Sequence, residues 1–220
     1  MASRPTPPLA AIVRILIGLS AALILAACTI TSARPLIAAS EGVTPLPDAF
    51  ALFAYEPGPD GYARSGEAPA SFTRVGNHYE TAGLPDLKDT LAIRFIPAGD
   101  DFLLAATEST APAMTYGFAR YDDNVLTLWL SPDAKTVAAL GRARRSAMPK
   151  AIKALSGITA HPRTDALTIH SRAALDALAD LFDRGRLPMD KPVVAYLSED
   201  PEASPPSRLV QSGNQWIKVP

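Results

Sequence analysis

Apolar and polar residues alternate in short runs between residues 71 and 130, a pattern typical of β-strands. The runs Ser71–Val75 and His78–Ala82 flank Gly76-Asn77, a two-residue loop with the glycine first, as type II′ hairpins require. Two more hairpins are predicted, Leu91–Ile96 with Phe102–Thr107 and Tyr116–Tyr121 with Val125–Leu130. Three hairpins predict an antiparallel sheet, and the sequence leaves open whether it is a curled sheet, a sandwich or a small barrel.

Helical signals are concentrated in the C-terminal half. Ser131-Pro132-Asp133 is a typical helix start, and a short second helix is predicted from Pro149. Ser171 caps a third helix, whose apolar face is Leu175, Leu178, Leu181 and Phe182. This helix lies between two predicted strands, Ala166–His170 and Val193–Leu197, which suggests a β-α-β crossover. The prediction is an α+β domain of mostly antiparallel β hairpins, with two or three helices in the C-terminal half.

The N-terminal segment has a different pattern. Arg14 precedes an apolar run, Ile15–Leu25, and the small residues Ala26 and Ala27 follow, as in a secretory signal peptide. The run is shorter than the 20 or so apolar residues that a membrane-spanning helix needs. It ends in the tetrad Leu25-Ala26-Ala27-Cys28, and Cys28 is the only cysteine in the chain.

This tetrad resembles the lipobox of bacterial lipoproteins, and the whole chain is similar in organisation to uncharacterised small envelope lipoproteins of proteobacteria. The resemblance implies that Cys28 carries a diacylglycerol thioether, that the chain is cleaved between Ala27 and Cys28, and that the new amino group is acylated, commonly with palmitate. Two or more acyl chains anchor a protein stably to a membrane. By the same resemblance, Thr29 after the cysteine implies the outer membrane, with the domain in the periplasm.

These signals divide the chain into three parts. Residues 1–27 are predicted to be the signal peptide, residues 28–48 the lipidated cysteine and a flexible tether, and residues 49–220 a single β-rich domain. The tether prediction rests on three prolines and the absence of a sustained period between Thr29 and Asp48. Such a tether reaches about 25 Å. A domain that starts near Pro47 is therefore expected to fold on its own.

Charge and cysteine content exclude several function classes. The net charge is −1, and removal of residues 1–27 takes away Arg4 and Arg14 and no acid, which makes it −3. Nucleic-acid binding calls for a strongly basic domain, so it is not expected. With Cys28 lipidated no thiol remains, and this excludes thiolate catalysis and thiolate metal sites.

One stretch between Lys135 and Lys153 is strongly basic and contains no acid. We interpret it as a surface for anionic lipid or an acidic protein partner, and the alternative is the solvated face of a helix. The candidate residues are Lys135, Arg142, Arg144, Arg145, Lys150 and Lys153.

No catalytic motif occurs, such as Gly-x-Ser-x-Gly, Ser-x-x-Lys or His-Glu-x-x-His. His161, Asp165 and His170 are close in sequence, but Pro162 prevents the helical spacing of zinc histidines, so neither a metal nor a cofactor is expected. The prediction is a membrane-anchored envelope lipoprotein that is not an enzyme and binds an envelope partner, a lipid or a cell-wall component. The alternative is a periplasmic hydrolase with dispersed carboxylate and histidine residues. A deep cleft with convergent acids favours the hydrolase, and a shallow groove favours the binding protein.

Overall fold

The computed structural model describes residues 30–66, 68–81, 90–108, 113–143, 157–161, 166–200, 202–213 and 215–220. In these ranges the chain forms fourteen strands and two helices. The helices are α1 (Ala134–Ala143) and α2 (Arg172–Asp183). The strands are β1 (Ile30–Ser32), β2 (Ala49–Gly58), β3 (Gly61–Arg64), β4 (Ala70–Val75), β5 (His78–Thr81), β6 (Leu91–Ala98), β7 (Asp101–Glu108), β8 (Met114–Asp122), β9 (Val125–Trp129), β10 (Ile158–His161), β11 (Ala166–Ile169), β12 (Val193–Ser198), β13 (Arg208–Ser212) and β14 (Gln215–Val219).

Eight of these strands close into a β-barrel in the order β2-β4-β5-β6-β7-β8-β9-β12. Every neighbouring pair is antiparallel. The ring closes because β12 pairs with β9 on one side and with β2 on the other, for example Ala195 with Leu126 and with Ala54. The three hairpins expected from the sequence, β4–β5, β6–β7 and β8–β9, are consecutive parts of this ring.

The barrel interior is filled with apolar side chains. Phe50 stacks on Phe72 with 5.3 Å between ring centroids, and Tyr79 meets the edges of Phe50 and Phe95 at 5.6 Å and 5.9 Å. The interior of an eight-stranded barrel is just wide enough for side chains to fill. This interior is therefore a packed core.

Two additional layers extend from the barrel. β1 pairs with the first half of β8, outside the barrel ring. β11 pairs with β1, and β10 pairs with β11, in the same sheet. Both helices cover one face of this extension, where Val137, Leu175 and Leu178 are fully buried. On another side, β3, β13 and β14 cover the outside of β2 and β12, with Leu209 buried between them.

The predicted α+β class, with two or three C-terminal helices, is wrong. The fold is mostly antiparallel β, built on the closed barrel, with two helices in the described residues. The predicted β-α-β crossover does not form, because β11 pairs with β1 and β10, whereas β12 pairs with β2 and β9. The helix predicted from Pro149 lies outside the described residues.

Residues 30–48 differ from the predicted flexible tether. Ile30 in β1 pairs with Tyr116 and Leu167 and is 1% exposed, and Ile37 and Leu46 are also buried. The backbone N–H of Leu36 donates to the hydroxyl of Tyr116 at 3.1 Å. The prolines of this segment interrupt regular structure, but the apolar residues between them still dock on the sheet.

Candidate functional site

A shallow groove of about 270 Å³ lies between helix α2 and the β6–β7 hairpin. We call it the helix–hairpin groove. Its floor and hairpin wall are mostly apolar, whereas its helix wall is charged. It is lined by Ile96, Pro97, Ala98, Gly99, Leu103, Arg172, Asp176, Ala179, Asp180 and Asp183.

The helix wall of the groove is the charged face of α2, whose sequence is amphipathic. Ser171 caps the helix by accepting a hydrogen bond from the Ala174 backbone N–H. Ala174, Leu175 and Leu178 are buried against the sheet extension. The charged residues are spaced four and three apart on the other side, which places them on one exposed face.

Ion pairs hold two of the three aspartates of this wall. Asp176 accepts from Arg172 at 2.7 Å, and Asp180 accepts from Arg184 at 2.7 Å, both one helical turn away. All four side chains are at least one-third exposed. Exposed pairs of this kind are weak, so they orient the carboxylates without removing them from water.

The hairpin wall approaches Asp183 at the turn between β6 and β7. Gly99 there has a φ of +64°, and a Cβ atom at this position would overlap Oδ1 of Asp183. Glycine is needed both for the left-handed conformation and for this close approach. Beside the turn, buried Asp101 accepts two hydrogen bonds from Arg120, at 2.6 Å and 2.9 Å. These bonds raise the pKa of Arg120 and hold the first residue of β7 beside the turn.

Arg172 also binds the N-terminal segment. Its Nη1 donates to Oε2 of Glu41 at 2.7 Å, while Oε1 of Glu41 accepts from the Ala38 backbone N–H at 2.9 Å. The Ala38 N–H and then Arg172 lower the pKa of Glu41. Asp176 and then Glu41 raise the pKa of Arg172. Since two carboxylates hold this guanidinium, the groove keeps a negative balance of charge.

The histidines lie elsewhere. Nε2 of His78 is 2.8 Å from Glu80 Oε1 on the outside of β5, and its Nδ1 is buried with no hydrogen-bond partner in the described structure. His161 and His170 contact Thr168 and Thr159 across the β10–β11 hairpin, at 3.0 Å and 2.9 Å. None of the three lines the groove. Among the described residues, no histidine therefore joins the three aspartates of the groove, and these aspartates lie on a shallow, exposed wall and not in a deep cleft.

The predicted basic surface is only partly described. Lys135 is exposed in the first turn of α1, and Arg142 lies in the last turn of that helix. Arg144, Arg145, Lys150 and Lys153 lie outside the described residues, as do Ala27, Cys28 and Asp165. The described part of α1 is Ala134–Ala143, so the structure describes the surroundings of only the first of these basic positions.

Sequence reasoning missed the groove itself. The spacing of Arg172, Asp176, Asp180 and Asp183 on a well-capped helix was a readable signal of a charged face. Glu41 and the β6–β7 turn gave no comparable signal, because they reach the helix only through the tertiary fold.

Comparisons with protein-family models, with curated proteins and with solved structures gave no match for this chain. Neither helix of the described residues is long and apolar enough to cross a membrane. Within the same residues, no group of three or more histidine, cysteine, aspartate or glutamate side chains is placed to hold a metal ion.

Proposed function

We propose that this protein is a lipoprotein of the bacterial cell envelope, anchored through Cys28, whose barrel domain binds a partner rather than catalysing a reaction. The anchoring half of the proposal rests on the Leu25-Ala26-Ala27-Cys28 tetrad and its resemblance to a lipobox. The outer membrane, with the domain in the periplasm, is the location that Thr29 favours.

The helix–hairpin groove carries the binding half of the proposal. Its apolar side offers Ile96 and Pro97 to a partner, with buried Leu103 beneath them, and its rim carries acidic side chains. Four carboxylates, with Glu41 included, face two guanidinium groups, those of Arg172 and Arg184. Such a surface suits a polypeptide that presents apolar residues flanked by lysine or arginine, because complementary charge steers association and fixes register.

Mass spectrometry of the membrane fraction tests the anchor. We expect the N-terminal peptide of the mature chain to begin at Cys28 and to carry a diacylglycerol. A Cys28→Ser variant should accumulate as an uncleaved, unlipidated precursor. A Thr31→Ser variant, in which the tetrad is intact, is the matched control and should be processed normally. An unmodified Cys28 in the wild-type membrane fraction would contradict the anchor.

Site-specific photocrosslinking in intact cells tests the groove. A photoreactive residue in place of Pro97, which is exposed and lines the groove, should give one discrete adduct. The combined Asp176→Asn and Asp180→Asn changes should abolish that adduct, because they remove charge without changing side-chain size. A photoreactive residue in place of exposed Thr73 on β4 is the control. An adduct that persists after the charge change would exclude the acidic wall from recognition.

A further inference from the structure

Strand β14 is the last strand in the pairing order of the sheet, so one of its two edges has no neighbour among the described strands. Its other edge pairs with β13 without interruption. The backbone N–H and C=O groups of a free edge are a template for another strand, and edge strands commonly carry a proline, a bulge or an outward charge that prevents such pairing. β14 contains neither a proline nor a bulge.

The one charge on β14 does not protect this edge. Nζ of Lys218 is 2.9 Å from Oδ2 of Asp123 and 5.5 Å from the ring centre of Tyr196, so this side chain lies on the face that covers the barrel. Trp216 packs on the same face. Because side chains alternate along a strand, Ile217 points to the opposite, outward face, where it is 51% exposed.

The backbone groups of Trp216 and Lys218 are the ones that face the free edge. On β13, the carbonyl of Leu209 faces β3, because a Cβ atom at the facing glycine of β3 would lie 2.6 Å from it. Backbone groups alternate between the two sides of a strand, so those of Val210 face β14, where Val210 pairs with Ile217. The same alternation in β14 directs the N–H and C=O groups on either side of Ile217 away from β13.

We propose that β14 is a self-association surface, where the free edges of two copies of this chain pair antiparallel about a two-fold axis at Ile217. In this register Trp216 of one protomer and Lys218 of its partner exchange both backbone hydrogen bonds, and the axis generates this pair twice. The two Ile217 residues form a non-hydrogen-bonded pair, in which the Cα atoms are about 4.5 Å apart. A symmetric contact of this kind joins the same surface of both protomers.

A second copy fits this edge because the pairing is self-complementary. Val210 lies beside Ile217 on the outward face, so the joined sheet carries an apolar row from Val210 through both Ile217 side chains to the partner's Val210. Lys218 lies opposite the partner's Trp216 and not opposite another lysine, and each ammonium group keeps its ion pair with Asp123. The backbone bonds alone would admit any extended polypeptide, whereas these side-chain matches favour the same chain.

This contact is separate from the helix–hairpin groove, which no residue of β14 lines, and it does not depend on the lipid anchor. One pair of short strands is a small interface, below the roughly 1,200 Å² of a stable complex. The association should therefore be transient, with the protomers separate at the low concentrations used to measure unfolding. A method that traps a transient pair is the suitable test.

Disulfide trapping tests the two-fold axis in the purified full chain at high protein concentration. Every variant carries Cys28→Ser, so that the introduced cysteine is the only thiol. Under copper–phenanthroline oxidation Ile217→Cys should give a reducible dimer, because the paired Cα atoms lie within disulfide reach. Val75→Cys, at a position of β4 that is 43% exposed, is the control and should give at least about tenfold less. Equal yields at positions 75 and 217 would overturn the proposal. No dimer at position 217 would also overturn it, and would leave the edge to a different polypeptide.

Two further cysteine positions test the register. Gln215 should lie opposite the partner's Val219, whereas each of these residues is about 14 Å along the strand from its own symmetry mate. A disulfide needs Cα atoms within about 7 Å. A mixture of Gln215→Cys and Val219→Cys chains should therefore give a dimer, and each chain alone should not. Dimers from each chain alone, in the same yield as from the mixture, would overturn the proposed pairing.

A proline substitution tests the backbone bonds. Lys218→Pro removes the outward N–H of this residue and spares the bonds to β13, because proline is tolerated where its nitrogen faces away from the sheet. Lys218→Ala loses the same ion pair with Asp123 but keeps the N–H, so it is the matched control. In the mixture of Gln215→Cys and Val219→Cys chains, Lys218→Pro should reduce the trapped dimer about tenfold relative to Lys218→Ala. Equal yields from the two variants would overturn pairing through the edge of β14.

Discussion

The carboxylate of Glu41 meets the guanidinium of Arg172 at 2.7 Å, although 131 residues separate them in the chain. Glu41 belongs to the segment that leads from β1 to the barrel, and Arg172 opens helix α2 at the rim of the groove. The same guanidinium binds Asp176. One arginine thus couples the N-terminal segment to the wall of the candidate site.

The charge on Glu41 should stabilise the fold modestly. Both partners are more than one-third exposed, so Glu41→Gln should lower the free energy of unfolding by about 1 kcal/mol or less. The glutamine retains an oxygen that can accept from the Ala38 N–H, so the change isolates the charge. Urea denaturation at neutral pH measures the difference. Glu56→Gln, on an exposed position of β2, is the control and should have no measurable effect.

The pH dependence of that difference has a definite sign. The pKa of Glu41 is lower in the folded state than in the unfolded chain. Its contribution is therefore fully present above the unfolded pKa and is lost as the pH falls through the folded pKa. The gap between the wild type and Glu41→Gln should shrink in acid and vanish below the folded pKa. A gap that stays the same on acidification would show that Glu41 acts through packing instead.

β1 should be essential for folding. Ile30→Ala removes a fully buried side chain and should destabilise the domain by about 2–5 kcal/mol, the range for such core truncations. Ile217→Ala makes the same chemical change at a position that is 51% exposed, and it should cost less than about 0.5 kcal/mol. Thermal or urea unfolding of the two variants compares them directly. Equal losses would mean that β1 is dispensable.

Because residues 30–46 pack on the sheet, a chain that starts near Pro47 should not fold on its own, contrary to the prediction made from the sequence. A chain that starts near Pro47 lacks β1 and the buried side chains of Ile30, Ile37 and Leu46. We expect it to lose cooperative unfolding, whereas a chain that starts at Thr29 should keep it. A single sigmoidal melt from the shorter chain would contradict the structural role of residues 30–46.

The hairpins are predictable from local signals, whereas the closed barrel and the groove depend on tertiary contacts. Gly76 has a φ of +62° in the turn predicted at that residue, and Asp123 and Asn124 adopt left-handed backbones between β8 and β9. Turn residues report such geometry directly. The pairing of β12 with β2 joins Val194 to Tyr55, and no local pattern encodes a contact at that separation. The barrel and the groove both depend on contacts of this long-range kind.

Substitution of Tyr79, at the end of the barrel, should lower the free energy of unfolding. Its hydroxyl donates to the Leu46 carbonyl at 2.7 Å and accepts from the Leu46 N–H at 2.9 Å, and the residue is fully buried. Tyr79→Phe should cost about 1–3 kcal/mol, because it leaves buried backbone groups unpaired. Tyr121→Phe, which removes an exposed hydrogen bond to Asn124, should cost less. Denaturant unfolding of both variants measures the contrast.

Gly99 links the stability of the hairpin to the shape of the groove. Gly99→Ala introduces strain at a φ of +64° and a methyl group that overlaps the Asp183 carboxylate. Gly76→Ala is matched in φ, at +62°, but its new methyl group would meet nothing within 4 Å. The left-handed backbone alone should cost about 1–2 kcal/mol in each variant.

The excess loss of stability in Gly99→Ala over Gly76→Ala therefore measures the Asp183 contact. We expect a further loss of about 1 kcal/mol, the usual size of a close-packing conflict. Adding Asp183→Ala removes the overlapping carboxylate and should abolish this excess while the backbone strain remains. A double-mutant cycle from urea unfolding gives the coupling between the two positions. Additive effects of the two changes would show that Asp183 moves away from the turn freely, and that the hairpin and α2 are independent walls of the groove.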